Sequence, residues 1–394
     1  MAFLRNRAVN WINLHSGIHA LASGMGGAFV LVYLLRAGVS VPATLCAMAL
    51  ICTTRFAIRP LVVRASGRGL KPLVIGGTLL AALQYPLLAE VHGVEPALLV
   101  FCLVSGLGET LYWTSYHAYF ALLGDAEHRG HQLGAGVALS ALIGIVAPLI
   151  GAWALLGLGA RPTFAAAGLV QALAALPLVA TPNVRVPSTA PGALRASLPG
   201  VGLFAADGWF AVCYVLVWQI ALFLSLDRSV AAYGGAVALA ATVGALTSLF
   251  LGRHIDAGNG RQAVAIAFSA VSLTLLARAW SVGTPWLAVG ANALGALASC
   301  LVVPAQMTPV YNLAKASPCA LRFHVAAEGG WDLGHIAGCL AAALLVAHGA
   351  PLGAVIPIAF LGVAGQVFLL RRYYLRLGAW RRAAAAASES RSAS

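Results

Sequence analysis

Ser229-Val-Ala-Ala-Tyr-Gly-Gly-Ala-Val-Ala-Leu-Ala-Ala-Thr-Val-Gly-Ala-Leu-Thr-Ser-Leu-Phe-Leu-Gly252 runs for 24 residues without a charged side chain. A helix rising about 1.5 Å per residue needs about 20 apolar residues to cross the hydrocarbon of a bilayer, so this stretch predicts a membrane span. The same pattern recurs upstream near residues 16–36, 41–63, 72–91, 96–121, 132–158, 162–181 and 199–226, and downstream near 262–281, 285–314, 320–347 and 351–375. Composition agrees, because 61% hydrophobic and 9% charged residues cannot clothe a water-soluble surface. The 43 glycines suit helices packed backbone to backbone in lipid, not strands alternating polar and apolar positions. The expected fold is an all-α polytopic membrane protein of twelve transmembrane helices in two pseudo-symmetric six-helix bundles.

In a soluble chain the net charge of +13 would point to a polyanionic partner. Here its placement sets topology instead, and no nucleic-acid partner is expected. Arg64, Arg68, Lys71, Arg129, Arg185, Arg195, Arg253, Arg261, Lys315, Arg322 and a basic tail fall on one side, against Arg36, Arg161, Arg228 and Arg278 on the other. The positive-inside rule then puts both termini in the cytoplasm, and size with arginine bias suggests a bacterial inner membrane. No removable signal peptide is expected, because no credible cleavage site follows the first apolar run. The seven cysteines form no C-x-x-C and read as small buried side chains.

Pro182-Asn-Val-Arg-Val-Pro-Ser-Thr-Ala-Pro-Gly192 is the one stretch of linker composition. It divides the chain into an amino-terminal bundle over 1–181, a cytoplasmic linker over 182–198, a carboxy-terminal bundle over 199–382 and a disordered tail over 383–394. A shift of 193 positions overlays the halves, placing Gly67-Arg68 on Gly260-Arg261, Arg129 on Arg322 and His131 on His324, all at inner helix ends. Gly252-Arg-His-Ile-Asp256-Ala-Gly-Asn-Gly260-Arg261 lies between spans 8 and 9. It resembles the G-x-x-x-D-x-x-G-R loop motif of the major facilitator superfamily of secondary transporters, with one extra residue. The first-half copy keeps Gly67 and Arg68 but lacks the opening Gly and the Asp. The resemblance implies rocking halves and a gating latch made by Gly252, Asp256, Gly260, Arg261, Gly67 and Arg68; a topology-anchoring charged loop is the plainer alternative. Gly144-Ile-Val-Ala-Pro148-Leu-Ile-Gly151 is similar to the fifth-span motif of the superfamily's exporters and favours export, although a packing surface explains it equally.

Ionisable groups at membrane depth are costly and normally face a cavity or a partner. Span 4 carries Glu109, Tyr112, Trp113, Tyr116, His117 and Phe120 on one helical face, with Glu109 about 24 Å and His117 about 12 Å from the inner end. Span 11 carries His324, Glu328, Trp331, Asp332 and His335 at successive turns. Glu109, Glu328 and Asp332, with His117 and His335 beside them, are the proton-coupling candidates; an ion pair with a neighbouring helix is the plain alternative for Glu109. Tyr112, Trp113, Tyr116, Trp331, Arg55, His19, Asp207, Gln219 and Gln306 are the candidate walls of a substrate cavity. Arg55 serves either as counter-ion to an acid or as a site for an anionic solute. His15 and His19, four apart, hint at a transition-metal path, but the other ligands would come from the opposite half, so no metal site is assigned. No Walker A, G-x-S-x-G or H-E-x-x-H sequence is present, and neither an enzyme nor a cofactor is expected. The expected function is secondary active transport of a small organic solute by a monomer, proton-coupled, with the lipid bilayer as its surroundings. The rivals are a non-transporting sensor or scaffold of this fold, and a metal-ion or amphipathic-lipid transporter.

Overall fold

The computed structural model of the chain describes residues 6–123, 129–185, 190–251 and 260–392. Twelve helices are long and apolar enough to cross a membrane: α1 (Arg7–Arg36), α2 (Val41–Arg68), α3 (Lys71–Ala89), α4 (Pro96–Phe120), α5 (Leu139–Gly157), α6 (Ala160–Val179), α7 (Ala193–Ser225), α8 (Val230–Ser248), α9 (Gly260–Ser281), α10 (Pro285–Ala316), α11 (Ala320–Ala347) and α12 (Leu352–Gly378). Among the described residues there is no strand. Their starts follow local chemistry: the Asn6 side chain accepts from the Val9 N–H at 3.1 Å, the Ser40 hydroxyl accepts from the Ala43 N–H at 3.3 Å, and Pro42, Pro72 and Pro285 occupy first-turn positions where no amide hydrogen is needed.

Helices α1–α6 and α7–α12 form the two halves, which meet where α2 lies on α11 and α5 on α8. The Arg64–Lys71 connection marks one face of the bundle, the basic face. Near the far face the seam is aromatic. Phe29 of α1 meets Tyr233 of α8 at 5.8 Å between centroids, Tyr233 donates to the Ala28 carbonyl at 3.2 Å, and Phe223 of α7 closes on the same ring at 5.9 Å.

Two boundaries depart from sequence expectation. Helix α7 starts at Ala193, just after Gly192 in the left-handed conformation at φ +78°, so the last residues of the expected 182–198 linker are helical. The final helix continues to Ser392 through the alanines 383–387, where a disordered tail was expected; alanine is the strongest helix former and needs no tertiary partner to favour that conformation.

Helix α7 changes pitch at Val212–Val217, a six-residue π-helical stretch. Wider turns of this kind leave backbone groups without their usual intrahelical partners. On its basic-face side α7 lies so close to α11 that a Cβ on Gly208 or on Gly334 would strike the facing backbone at Trp331 or at Ala205. Small residues at such positions let two membrane helices share a long contact.

Candidate functional site

Arg55 and Arg59 stand one turn apart on α2, and their side chains gather acids from both halves. Arg55 donates from Nη1 to Glu109 Oε2 of α4 at 2.7 Å, and its Nε stands 3.0 Å from Asp332 Oδ1 of α11, off the line of a hydrogen bond. Arg59 donates from Nη1 to Glu328 Oε2 at 2.6 Å and to the Thr114 hydroxyl at 3.3 Å, and from Nη2 to Asp332 Oδ2. Asp332 is fully buried and Arg59 is 5% exposed. Two guanidinium groups thus face three carboxylates, and the cluster is neutral when one carboxyl carries a proton.

Counted from the inner helix ends, the sequence sets Glu109 about 24 Å and Arg55 about 13 Å deep, about 11 Å apart along the bundle, yet they are bonded. The observed helix ends account for it. Arg55 lies ten residues from Ala65 and Glu109 fourteen from Leu123, about 15 and 21 Å, a gap that the long arginine side chain spans. Arg59 is the residue sequence reasoning left out of the site. Its signal was the i, i+4 spacing to Arg55, which puts both heads on one helical face.

The aromatic face of α4 is buried against α1. His15 Nδ1 donates to the Ala174 carbonyl at 2.7 Å, which leaves Nε2 of the neutral ring to accept from the Tyr112 hydroxyl at 3.0 Å. With both ring nitrogens engaged, His15 has no lone pair to offer a metal. His19 stacks on Tyr112 at 4.5 Å and meets Trp113 edge-on at 5.7 Å. The Tyr116 and Ser16 hydroxyls share a short hydrogen bond. Tyr112 is 1% exposed and is therefore core, whereas Trp113 and Tyr116 are half-buried and His117, stacked on Trp113 at 5.4 Å, is exposed toward His324 of the opposite half.

On the α7–α10–α11 side, the Trp331 ring lies beneath Arg55 at 5.2 Å and stacks on His335 at 4.4 Å. Asp207 of α7 stands beside Gln306 and Trp331, both neutral donors. Gln219 is half-buried twelve residues farther along α7, about 18 Å from Asp207, and is not brought to this group. Among the described residues no set of three or more His, Cys, Asp or Glu side chains is arranged to hold a metal ion.

Of the loop motif, Gly252 and Asp256 lie outside the described residues. Gly260 packs under the Tyr374 ring, while Arg261 and Arg68 are exposed and Gly67 is in the open. The small residues of α5 pack on α1, Gly24 against Ala147 and Gly151 against Met25.

A model of the family described as Major Facilitator Superfamily matches residues 12–318. No curated protein matches the chain in sequence. Among solved structures the chain is similar to the human organic anion transporter MFSD10 (TETRAN), at 17% identity, a TM-score of 0.67, and 92% of this chain with 99% of that one. It is similar as well to a point mutant of the nucleoside transporter NupG (12%, TM-score 0.67, 93% and 99%), and to a POT family transporter bound to a thioalcohol-conjugated peptide (12%, TM-score 0.67, 94% and 96%). At these identities the likeness speaks for the fold, and the family match speaks for descent. On that match the chain belongs to the Major Facilitator Superfamily, the secondary transporters its loop motif had pointed to.

Proposed function

We propose that the protein moves a small organic solute through the bilayer by alternating access, driven by protons that bind the cluster of Glu109, Glu328 and Asp332. The observation that carries this reading is the count of charges between the halves: two guanidiniums against three carboxylates, with Asp332 fully buried. A proton delivered to one acid removes a partner from Arg55 or Arg59 and weakens the bond between α2 and α11, so occupancy of the cluster biases how the halves pack. Glu109 and Glu328 keep 32% and 19% of their side-chain surface and are the groups by which a proton enters; Asp332 holds the centre. Trp113, Tyr116, His19 and Trp331 wall the solute, and His117 and His335 tune the acids beside them. The aromatic seam of Phe29, Phe223 and Tyr233 closes the far face in this conformation.

We assign the basic face to the cytoplasm of a bacterial inner membrane, from the excess of arginine there, and export as the direction, on the fifth-span resemblance. A monomer suffices, since both halves of the site come from one chain.

The test is proton-driven flux in proteoliposomes with an imposed pH gradient. Glu109→Gln, Glu328→Gln and Asp332→Asn each lower gradient-driven transport tenfold or more while solute exchange without a gradient persists. Wild-type flux in all three variants overturns the assignment.

A further inference from the structure

Arginine on the face opposite the basic one runs against the bias that sets topology, so each such residue needs a reason. Arg161 has one in Glu90, 2.8 Å from its Nη2, and Arg278 has the Tyr214 carbonyl. Arg36, the last residue of α1, has no hydrogen-bond or ion-pair partner among the described residues. Instead it lines a cavity of about 440 Å³ together with Val91 and His92 of the connection between α3 and α4. The two acids beside that stretch are taken, Glu90 by Arg161 and Glu95 by the His92 amide at 2.7 Å, so the charge of Arg36 stands uncompensated. A space of this size falls among ligand pockets, which run from about 300 to 1,000 Å³.

The other polar walls are already engaged. The Tyr33 hydroxyl donates to the Ala89 carbonyl at 2.9 Å, its ring meets Phe164 edge-on at 5.0 Å, and His92 Nδ1 stands 2.8 Å from the Glu90 carbonyl. Arg36 is thus the lining group with charge to offer, while Val32, Leu155 and Val230 supply apolar surface. A planar guanidinium pairs with carboxylate or phosphate oxygens two at a time, and the aliphatic walls beside it favour an anion that carries a carbon body over a bare hydrated ion.

We infer that this cavity binds an organic anion, with a phosphate or carboxylate head on Arg36 and a short apolar body against Val32, Leu155 and Val230. The site lies on the face away from the ion cluster and goes beyond the transport reading, since filling it needs neither the acids nor a gradient. Val32 of α1 and Val230 of α8 each stand three residues from a member of the aromatic seam, Phe29 and Tyr233. An occupant therefore touches both halves beside the seam and favours the conformation in which the far face is closed.

The test is equilibrium dialysis of radiolabelled phenylphosphate against the purified full chain in neutral detergent. Wild-type protein binds it saturably, benzoate competes, and phenyltrimethylammonium does not. Arg36→Gln lowers affinity about tenfold or more, the worth of hydrogen bonds to a charged group, and Arg36→Lys, which keeps the charge without the fork, about threefold. Ala37→Trp, which fills the cavity and keeps Arg36, also lowers affinity about tenfold or more. Arg228→Gln, at an exposed arginine of the same face that lines no part of the cavity, leaves affinity within about twofold of wild type. Phosphatidylglycerol added to the detergent raises the melting temperature of wild type and not of Arg36→Gln where the occupant is a lipid of the far leaflet; phenylphosphate alone does so where it is a free solute. Absence of saturable binding to the wild type, binding by Arg36→Gln equal to wild type, an equal loss in Arg228→Gln, or competition by the ammonium matching that by benzoate overturns the inference. Loss of proton-driven flux in the cluster variants with phenylphosphate binding intact bears on coupling alone and leaves this site standing; intact coupling without phenylphosphate binding sinks this site alone.

Discussion

Buried arginine occurs in two settings in this bundle. Arg55 and Arg59 of α2 reach carboxylates on α4 and, across the seam between halves, on α11. Arg278 of α9 is 4% exposed and stays within its own half, donating to the Tyr214 carbonyl at 2.6 Å and lying over the rings of Tyr214 at 4.2 Å and Trp218 at 4.9 Å. That carbonyl belongs to the π-helical stretch of α7. No carboxylate pairs with Arg278 among the described residues. A carboxylate can take up a proton and release its arginine, whereas a peptide carbonyl remains an acceptor at any physiological pH. The first setting is thus reversible by protonation and joins the two halves; the second is a fixed contact inside one of them.

The sharpest way to break this contrast is Arg59→Leu. It leaves Glu328 and Asp332 short of a guanidinium, a loss of about 3–5 kcal/mol for a broken buried pair, and gradient-driven flux in proteoliposomes falls a hundredfold or more. Arg278→Met costs less and in a different quantity: an unsatisfied buried carbonyl is worth about 1–3 kcal/mol, so melting in detergent drops by several degrees while the dependence of flux on the pH gradient keeps its wild-type form. If Arg278→Met changes that dependence, the division between reversible and fixed settings fails. Arg55→Gln and Glu109→Gln, combined, sharpen it further. Their effects on melting are non-additive by about 0.5–3 kcal/mol in a double-mutant cycle, because the second substitution removes a group already left without its partner. The smallest effect belongs to Glu90→Gln. Its bond to Arg161 at 2.8 Å is solvent-exposed on both sides, with 52% and 70% of the side chains accessible, so stability changes by less than about 1 kcal/mol and flux is unchanged.

Much of the bundle was legible beforehand, since the need to fill about 20 residues with apolar side chains leaves a visible run for each helix. The stretch 229–252 predicts α8 almost to its ends. The acids at Glu109, Glu328 and Asp332 were legible too, because a charge in such a run is conspicuous. Their partners were not. Pairing depends on helix tilt, rotation and side-chain reach, and a count of residues from a loop fixes none of these, so Glu109 and Arg55 were set at different depths although they bond. Arg59 was set one turn shallower than Arg55 and left out of the candidate walls, yet it is the hub of the cluster. The π-helical stretch has no sequence mark either: Val212-Cys-Tyr-Val-Leu-Val217 reads as ordinary apolar helix, and the bond from Arg278 to the Tyr214 carbonyl is visible only in the folded bundle.

Helix α11 holds two attachments of opposite character. The glycine seam at Gly208 and Gly334 holds it backbone to backbone on α7, whereas its links to α2 are salt bridges. On the proposed transport cycle, an event that unfastens α11 from α2 accordingly carries α7 with it, so the loading of the acids is felt along both helices with no separate relay between them.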